Sequence, residues 1–302
     1  GGQVEGNHYH LSVYQRDMLL PYLREHFHEV ELRYQRGDEF FDEPLTPAHS
    51  ARFVDEYAIA ECRRPRRHDP ELVSIIIPVR NQRDLTEECL ASIARNTDQS
   101  HEIILIDDAS EAETAGYLQS LESATVIRNE TQLGFAASIN RGIRAANGAF
   151  LLLLNNDTLV TPGWLGRLID HTRDTHIGIV GAVSNHAAEP QLYSELDYPD
   201  TAALDLLSLR LAEELKGLRL SVPKVTGLCM LIRRDLIQTI GGFDPRYGLG
   251  YCEDDDFCVR AKLAGFDIAV ARDVFIHHYG SRTMSDESDN PDDRMQSNWV
   301  VF

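Results

Sequence analysis

Three short stretches of this 302-residue chain hold residue types that can do chemistry. Leu151 to Asp157 runs Leu-Leu-Leu-Leu-Asn-Asn-Asp, four leucines leading into two amides and a carboxylate. Glu253-Asp254-Asp255-Asp256 sets four carboxylates side by side, and His277-His278 closes the apolar run Val274-Phe275-Ile276. Crowded carboxylates raise one another's pKa, and one so raised can act as a general base. A carboxylate and an imidazole brought together make a mixed oxygen and nitrogen donor set for a metal ion. Each stretch also has a plainer account. Asn-Asn-Asp can simply turn the chain, an acidic run can sit in solvent at a helix N-terminus, and paired histidines can be half-buried strand residues.

Periodicity indicates what must position these groups. A run of leucines without polar alternation suits a strand buried on both faces of a parallel sheet. Ligands of open α/β sheets bind at the carboxyl ends of the strands, which would put Asn155, Asn156 and Asp157 at the mouth of a site. Val73 to Val79 reads as a buried β-branched strand, and Glu102 to Ile106 as a second, ending in Asp107-Asp108-Ala109-Ser110. Helices are predicted over Leu85 to Asn96, Ala112 to Leu121 and Gly134 to Ala146, and near Pro162. Further strands are predicted at Thr125 to Arg128, Ile177 to Val183 and Thr226 to Arg233, with a leucine-rich helix over Leu204 to Leu218. Behind the acidic run, Phe257, Val259, Ala261 and Leu263 make an amphipathic helix, and Ile268 to Ser281 forms the last element. This alternation predicts an α/β fold with a mainly parallel central sheet and helices on both faces. No Gly-x-Gly-x-x-Gly follows the first strand and no Gly-Lys-Ser/Thr loop occurs, so dinucleotide and P-loop nucleotide sites are unsupported.

The first 70 residues differ in character. Met18, Leu19, Tyr22, Leu23, Phe27, Val30, Leu32 and Tyr34 fall near helical spacing, which predicts an amphipathic helix over Asp17 to Gln35. Glu39 to Asp69 is charged and proline-bearing, with the basic cluster Arg63-Arg64-Pro65-Arg66-Arg67, and reads as a solvated linker. The expected organisation is an N-terminal helical extension over residues 1–70 and a main domain over residues 71–302.

Composition narrows the partners. Lys and Arg total 29 against 48 Asp and Glu, a formal net charge of -19. Such a balance opposes nucleic acid and anionic lipid, and a phosphate-bearing substrate would need a cation or backbone donors to offset repulsion. The five cysteines are odd in number and lack a Cys-x-x-Cys pair, which argues for buried thiols in a reducing compartment. No apolar stretch reaches the roughly 20 residues of a transmembrane helix, and the N-terminus lacks a signal-peptide pattern. The expected location is the cytoplasm, or the periphery of a membrane's inner face. Gly1-Gly2 and the apolar ending Trp299-Val300-Val301-Phe302 read as the limits of a piece cut from a longer protein.

Several motifs then fall in one order: Ile77-Pro78-Val79-Arg80-Asn81, Ile106-Asp107-Asp108-Ala109-Ser110, Gly134 to Gly142, Leu154-Asn155-Asn156-Asp157, Thr226-Gly227, Gly241-Gly242-Phe243-Asp244, Glu253 to Asp256, and His277-His278-Tyr279-Gly280-Ser281. From about Val73 to Ser281 this order resembles the family 2 glycosyltransferases, inverting enzymes of the GT-A fold. The resemblance implies a nucleoside-diphosphate sugar donor, with Pro78, Val79, Arg80, Asn81, Asp107, Asp108 and Asn140 on the nucleotide side. It also implies that Asp108 accepts from the base imide. Asn155-Asn156-Asp157 occupies the Asp-x-Asp position, with Asp157 as ligand to Mn²⁺ or Mg²⁺ and the amides toward ribose or diphosphate. The first position is an amide here, one carboxylate fewer than the stricter family form.

Glu253-Asp254 matches the family's Glu-Asp pair, which implies Asp254 as base, and the resemblance places Gly227 and Asp256 on the acceptor side. The family's His-His-Gly-Gly ending favours His277 as metal ligand, while the spacing admits His278. The implied activity is metal-dependent, inverting transfer of a sugar to a hydroxyl of a glycan, lipid-linked sugar or protein, in glycan or polysaccharide synthesis. Two rivals stand beside it. One is a catalytically degenerate domain serving as a carbohydrate-binding or scaffold module. The other is a sugar nucleotidyltransferase, against which the lack of a glycine-rich basic loop after Ile77 speaks.

Overall fold

A computed structural model describes residues 69–193, 198–280 and 298 with their side chains, and four strand backbones before them. The chain divides into two compact units, Gly1–Arg67 and His68–Phe302. In the first, β1 (Asn7–Ser12), β2 (Phe27–Arg36), β3 (Glu39–Phe41) and β4 (Tyr57–Pro65) form an antiparallel sheet in the order β1-β4-β2-β3. The helix predicted over Asp17 to Gln35 is therefore wrong from Phe27 onward, and 17–26 lie outside the described residues. Val30, Leu32 and Tyr34 alternate strictly with Glu31, Arg33 and Gln35, and this period of two outweighs the looser helical spacing upstream. The linker expected over Glu39 to Asp69 likewise contains β3 and β4.

The second unit is built on one large sheet. Its strands are β5 (Asp69–Val79), β6 (His101–Asp107), β7 (Thr125–Arg128), β8 (Gly148–Leu154), β9 (Thr158–Leu159), β10 (Ile177–Ser184), β11 (Arg219–Ser221), β12 (Cys229–Arg233) and β13 (Asp267–His278). Their order is β11-β13-β10-β12-β8-β5-β6-β7, with β9 paired to β13. β7, β6, β5, β8, β10 and β13 share one direction, while β12 runs against its neighbours β8 and β10. The helices are α1 (Arg83–Asn96), α2 (Ala112–Gln119), α3 (Phe135–Ala145), α4 (Trp164–His171), α5 (Thr201–Glu214), α6 (Arg234–Ile240) and α7 (Glu253–Leu263).

Both faces of this sheet are dry, which explains the unbroken apolar strands. Successive side chains of a strand point to opposite faces. Leu151 and Leu153 accordingly join Ile76, Ile139 and Ile143 of α3, and Phe257 and Ala261 of α7, in one core layer. Leu152 and Leu154 join Ile75 and Ile77, Ile93 of α1, and Trp164 and Leu168 of α4 in the other. Gly142 is where α3 meets the sheet closely: a Cβ there would collide with Cγ2 of Ile76. Among the described residues, no helix is long and apolar enough to cross a membrane.

The pairing of β10 with β13 is irregular at two places, between Ile177 and Ile179 and, more strongly, between Ala182 and Val183. Ala182 of β10 pairs with Ala271, but Val183 pairs with Phe275, so Arg272, Asp273 and Val274 bulge out of β13. A bulge bends its strand and re-aims the residues beyond it. Here the end of β13 reaches β9, with His277 opposite Leu159 and His278 opposite Thr158. The bulge is pinned by Asp273, buried with its Oδ1 2.7 Å from Nε2 of buried His171 and its Oδ2 2.8 Å from the Gly217 amide. Burial alone would raise the Asp273 pKa, yet these partners hold it below the ordinary carboxylate value.

A depressed pKa contributes stability that is full above the unfolded value, about 4, and is lost as pH falls through the lower folded value. Asp273→Asn is expected to cost roughly 1–3 kcal/mol at neutral pH. In denaturant titrations the gap from wild type should narrow as pH drops from about 5 toward 2. A gap constant over that range would refute the pinning role.

Candidate active site

Topology decides which residues can meet. The parallel strands β5, β6, β8, β10 and β13 all end at one edge of the sheet, presenting Arg80-Asn81, Asp108, Asn155-Asn156-Asp157, Asn185-His186 and His278. Because β12 is antiparallel, the same edge receives its start, Thr226-Gly227-Leu228. That short loop ties two of the predicted groups together. The amide of Asn155 donates to the Leu228 carbonyl at 3.0 Å, and the amide of Gly227 donates to Oδ2 of Asp254 at 3.2 Å. Gln191, buried beneath the loop, accepts from the Thr226 amide at 2.6 Å and its hydroxyl at 3.1 Å, and donates to the Ala182 carbonyl.

At the end of β8 the three polar residues do different things. Asn156 is buried and donates to the Thr86 hydroxyl at 2.9 Å. The Asn155 carbonyl accepts from the Thr158 hydroxyl at 2.7 Å, and its side-chain amide lies 3.5 Å from Nε2 of His278. Asp157 is buried, and its Oδ1 receives no well-aligned hydrogen bond, although His278 Nε2 stands 3.1 Å away. The histidine facing Asp157 is thus His278. His277 points the other way, its Nδ1 2.7 Å from the Tyr198 hydroxyl, as neighbours on a strand must.

The surroundings of His278 fix its chemistry. Asn185 clamps its backbone, accepting from the amide at 2.8 Å and donating to the carbonyl at 3.1 Å. Nδ1 lies 2.8 Å from the His186 carbonyl, which can only accept, so Nδ1 carries the proton. Nε2 then faces a carboxylate oxygen, an approach favourable only with a proton or a cation between them. Burial works against a charged ring, but the Asp157 carboxylate and the His186 carbonyl together raise the His278 pKa. Burial and neighbouring His278 lower that of His277.

Two donors on adjacent positions of an octahedral cation, each about 2.1 Å from it, stand about 3 Å apart. The Asp157–His278 pair has this spacing, and an imidazole whose second nitrogen donates to a backbone carbonyl is the usual arrangement of a metal-binding histidine. The residues present fit a divalent cation. Among the described residues, no group of three or more His, Cys, Asp and Glu side chains is placed to hold a metal.

The acidic stretch forms the first turn of α7. Glu253 is buried with Oε2 unpartnered, and burial together with the Asp254 charge pushes its carboxyl well above the ordinary range. Burial and the Asp255 charge raise Asp254 too, against the pull of the Gly227 amide and Lys224. Asp255 pairs with Lys224 at 2.6 Å and Asp256 with Arg260 at 2.7 Å. Arg260 in turn donates to the carbonyls of Ile240 and Gly242. Of the four carboxylates, Asp254 therefore borders the Gly227 loop, while Asp256, through Arg260, braces the turn that ends α6.

The predicted nucleotide side is organised by internal hydrogen bonds. Asp108 accepts at Oδ1 from Asn129 and the Leu133 amide, 2.7 and 2.8 Å, and at Oδ2 from the Gly134 amide, 3.0 Å. Asp107 accepts from the Ser110 amide at 2.8 Å and from Arg128. Pro78 and Val79 end β5, Arg80 donates to the carbonyls of Asp108 and Ala109, and Asn81, at φ 55°, accepts from the Glu111 amide. Asn140 lies apart, its amide closed on the Phe243 backbone at 2.7 and 2.9 Å, so it orders the Gly242-Phe243 turn. Asn185, His186 and Gln191 were not anticipated, though Ser184-Asn185-His186 ends an apolar strand in polar residues just as Asn155-Asn156-Asp157 does.

Among curated proteins the chain is similar to the O-antigen biosynthesis protein RfbC of Myxococcus xanthus, 26% identical over 74% of this chain and 18% of that protein. It is also similar to the glycosyltransferase AglE of Haloferax volcanii, 26% identical over 68% of this chain and 66% of that one. The chain thus spans less than two thirds of the length of these relatives.

The mannosyltransferase PcManGT from Pyrobaculum calidifontis, solved with GDP-Man and Mn²⁺, superposes with a TM-score of 0.53 at 20% identity, covering 71% of this chain and 58% of that one. GalNAc-T7, solved with UDP, GalNAc and Mn²⁺, gives 0.56 at 18% identity over 71% and 45%. The shared architecture is the GT-A fold. Residues 74–241, more than half of the chain, match the family described as Glycosyl transferase family 2, and the chain belongs to that family.

Proposed function

We propose that this domain is a metal-dependent, inverting glycosyltransferase that moves a sugar from a nucleoside-diphosphate donor to an acceptor hydroxyl. The observation that carries the metal is the buried Asp157 carboxylate set 3.1 Å from Nε2 of His278, whose Nδ1 is taken up by a backbone carbonyl. Asp157 and His278 would hold Mn²⁺ or Mg²⁺, and Asn155 stands beside them with its amide. A divalent cation at a diphosphate neutralises the charge that develops on the leaving oxygens. An acidic chain with a net charge of -19 needs that neutralisation to keep such a donor bound. The solved neighbours with Mn²⁺ and GDP-Man or UDP support the donor class.

Asp254 is the base in this reading. Its two oxygens accept from the amides of Gly227 and Asp255, which orients the carboxylate while leaving lone pairs for an acceptor. Its raised pKa makes it a stronger base than an ordinary aspartate. The acceptor oxygen attacks the anomeric carbon as its proton passes to Asp254. The bond from that carbon to the phosphate oxygen breaks, and the nucleoside diphosphate leaves with the electron pair. One displacement inverts the anomeric configuration. Glu253, buried and disposed to stay protonated, limits the negative charge around the base.

Thermal-shift screening of nucleoside-diphosphate sugars with Mn²⁺ identifies the donor, and its hydrolysis gives an acceptor-independent assay. Asp254→Asn should keep the fold and donor affinity while slowing hydrolysis about a hundredfold to ten-thousandfold. Undiminished turnover would reject Asp254 as base. In calorimetric titrations of the nucleoside diphosphate, Mn²⁺ should tighten binding to wild type and His277→Ala, but not to His278→Ala or Asp157→Ala. Metal-linked affinity that survives in His278→Ala and vanishes in His277→Ala would reverse the ligand assignment.

A further inference from the structure

The loop that delivers Glu253 and Asp254 to the cleft is held in an unusual backbone. Gly248 has φ 62°, Gly250 φ 148°, Tyr251 φ 74° and Cys252 φ 72°, so two consecutive residues with side chains are left-handed immediately before α7. Such residues persist only where their surroundings over-determine them, and they cluster where strain serves a site. On one side the loop is braced by Gly134, where a Cβ would collide with the Gly248 carbonyl and the Leu249 Cα. On the other side stands Asn298. Its Nδ2 donates to the carbonyls of Tyr247 at 3.0 Å, Gly250 at 2.8 Å and Tyr251 at 3.0 Å.

Only the NH₂ end of a carboxamide can donate to carbonyls, here two hydrogens shared among three, so the hydrogen-bond partners fix the orientation of this side chain. Asn298 is buried, and it gathers carbonyls that span the left-handed stretch from its start to its last residue but one. Cys252, the next residue, accepts the Asp256 amide at 2.9 Å and so begins the helix on which Asp254 rides.

We propose that Asn298 is a positioning residue for the reaction: from 44 residues beyond Asp254 in sequence, it sets the place of that base by locking the carbonyls of Tyr247, Gly250 and Tyr251. It touches no reacting atom, and the inference rests on Asp254 being the base. Displacing a catalytic group by about 1 Å can cost about a hundredfold in rate. Releasing three carbonyls from Asn298 frees the loop to relax toward commoner backbone angles, carrying Asp254 with it. Donor binding at the Asp157 side does not depend on this contact.

The test measures donor hydrolysis and nucleoside-diphosphate affinity with Mn²⁺ for wild type, Asn298→Ala, Asp254→Asn and the double variant, each checked for folding by circular dichroism. Asn298→Ala should lower kcat about tenfold to a hundredfold with the nucleotide Kd within about twofold of wild type. The double variant should be no slower than Asp254→Asn alone, because both changes remove one function. Asp254→Asn with full activity removes the base assignment and this inference with it. An inactive Asp254→Asn beside a fully active Asn298→Ala overturns the positioning role alone, as does a double variant whose loss is the product of the two. If Asn298→Ala does not fold, Asn298→Ser, which keeps a donor, is read in the same way. If neither folds, Asn298 serves only the stability of the unit and the inference fails.

Discussion

A carboxylate oxygen sealed from water and set against an imidazole nitrogen needs a proton or a cation between them. That condition at Asp157 and His278 gives the rest of the molecule its meaning. The bulge at Arg272 to Val274, the two-residue strand β9 and the Asn185 clamp all bring a histidine from near the end of the described chain to an aspartate near its middle. Leu159 of β9 and Val274 of the bulge also join the core layers on the two faces of the sheet, so the same segments that fill the core set two side chains facing one another across a very short gap.

The reversed strand β12 is the second device. In a wholly parallel sheet the edge facing the ligand receives only strand ends. Here one strand enters from that edge, and the loop Thr226 to Leu228 touches both the turn after β8 and the first turn of α7. Distances between remote residues are thereby set through a backbone segment two residues long, braced from below by Gln191. A Cβ on Gly227 would meet the Phe135 ring at 2.8 Å, so the loop has no room to carry a side chain on that face.

Much of this was legible in the residues. Buried strands announce themselves by unbroken apolar runs, and the polar residues that end them name the ligand edge, which is how Asp108, Asp157, His277 and His278 stood out. The same rule applied to Ser184-Asn185-His186 would have found the backbone clamp on the histidine. What the chain could not disclose alone was which of two adjacent histidines faces the aspartate. That choice depends on the register of β13, and the register is set by a three-residue bulge whose cause, Asp273 meeting His171 and Gly217, is a contact between distant segments. Asn140 shows a related limit: in sequence an amide in a helix looks the same whether it meets a ligand or a backbone turn 103 residues away. In the first unit the helix expected over Asp17 to Gln35 failed where alternation of period two had already begun at Val30.

The contact of Gly134 with Gly248 and Leu249 joins two loops that belong to different halves of the cleft. The first hangs from Asp108, and the second leads into Glu253 and Asp254. With backbone pressed on backbone, neither loop can lengthen or swing without the other. A change of length in one loop must therefore be answered in the other, so evolution can alter the two only as a pair.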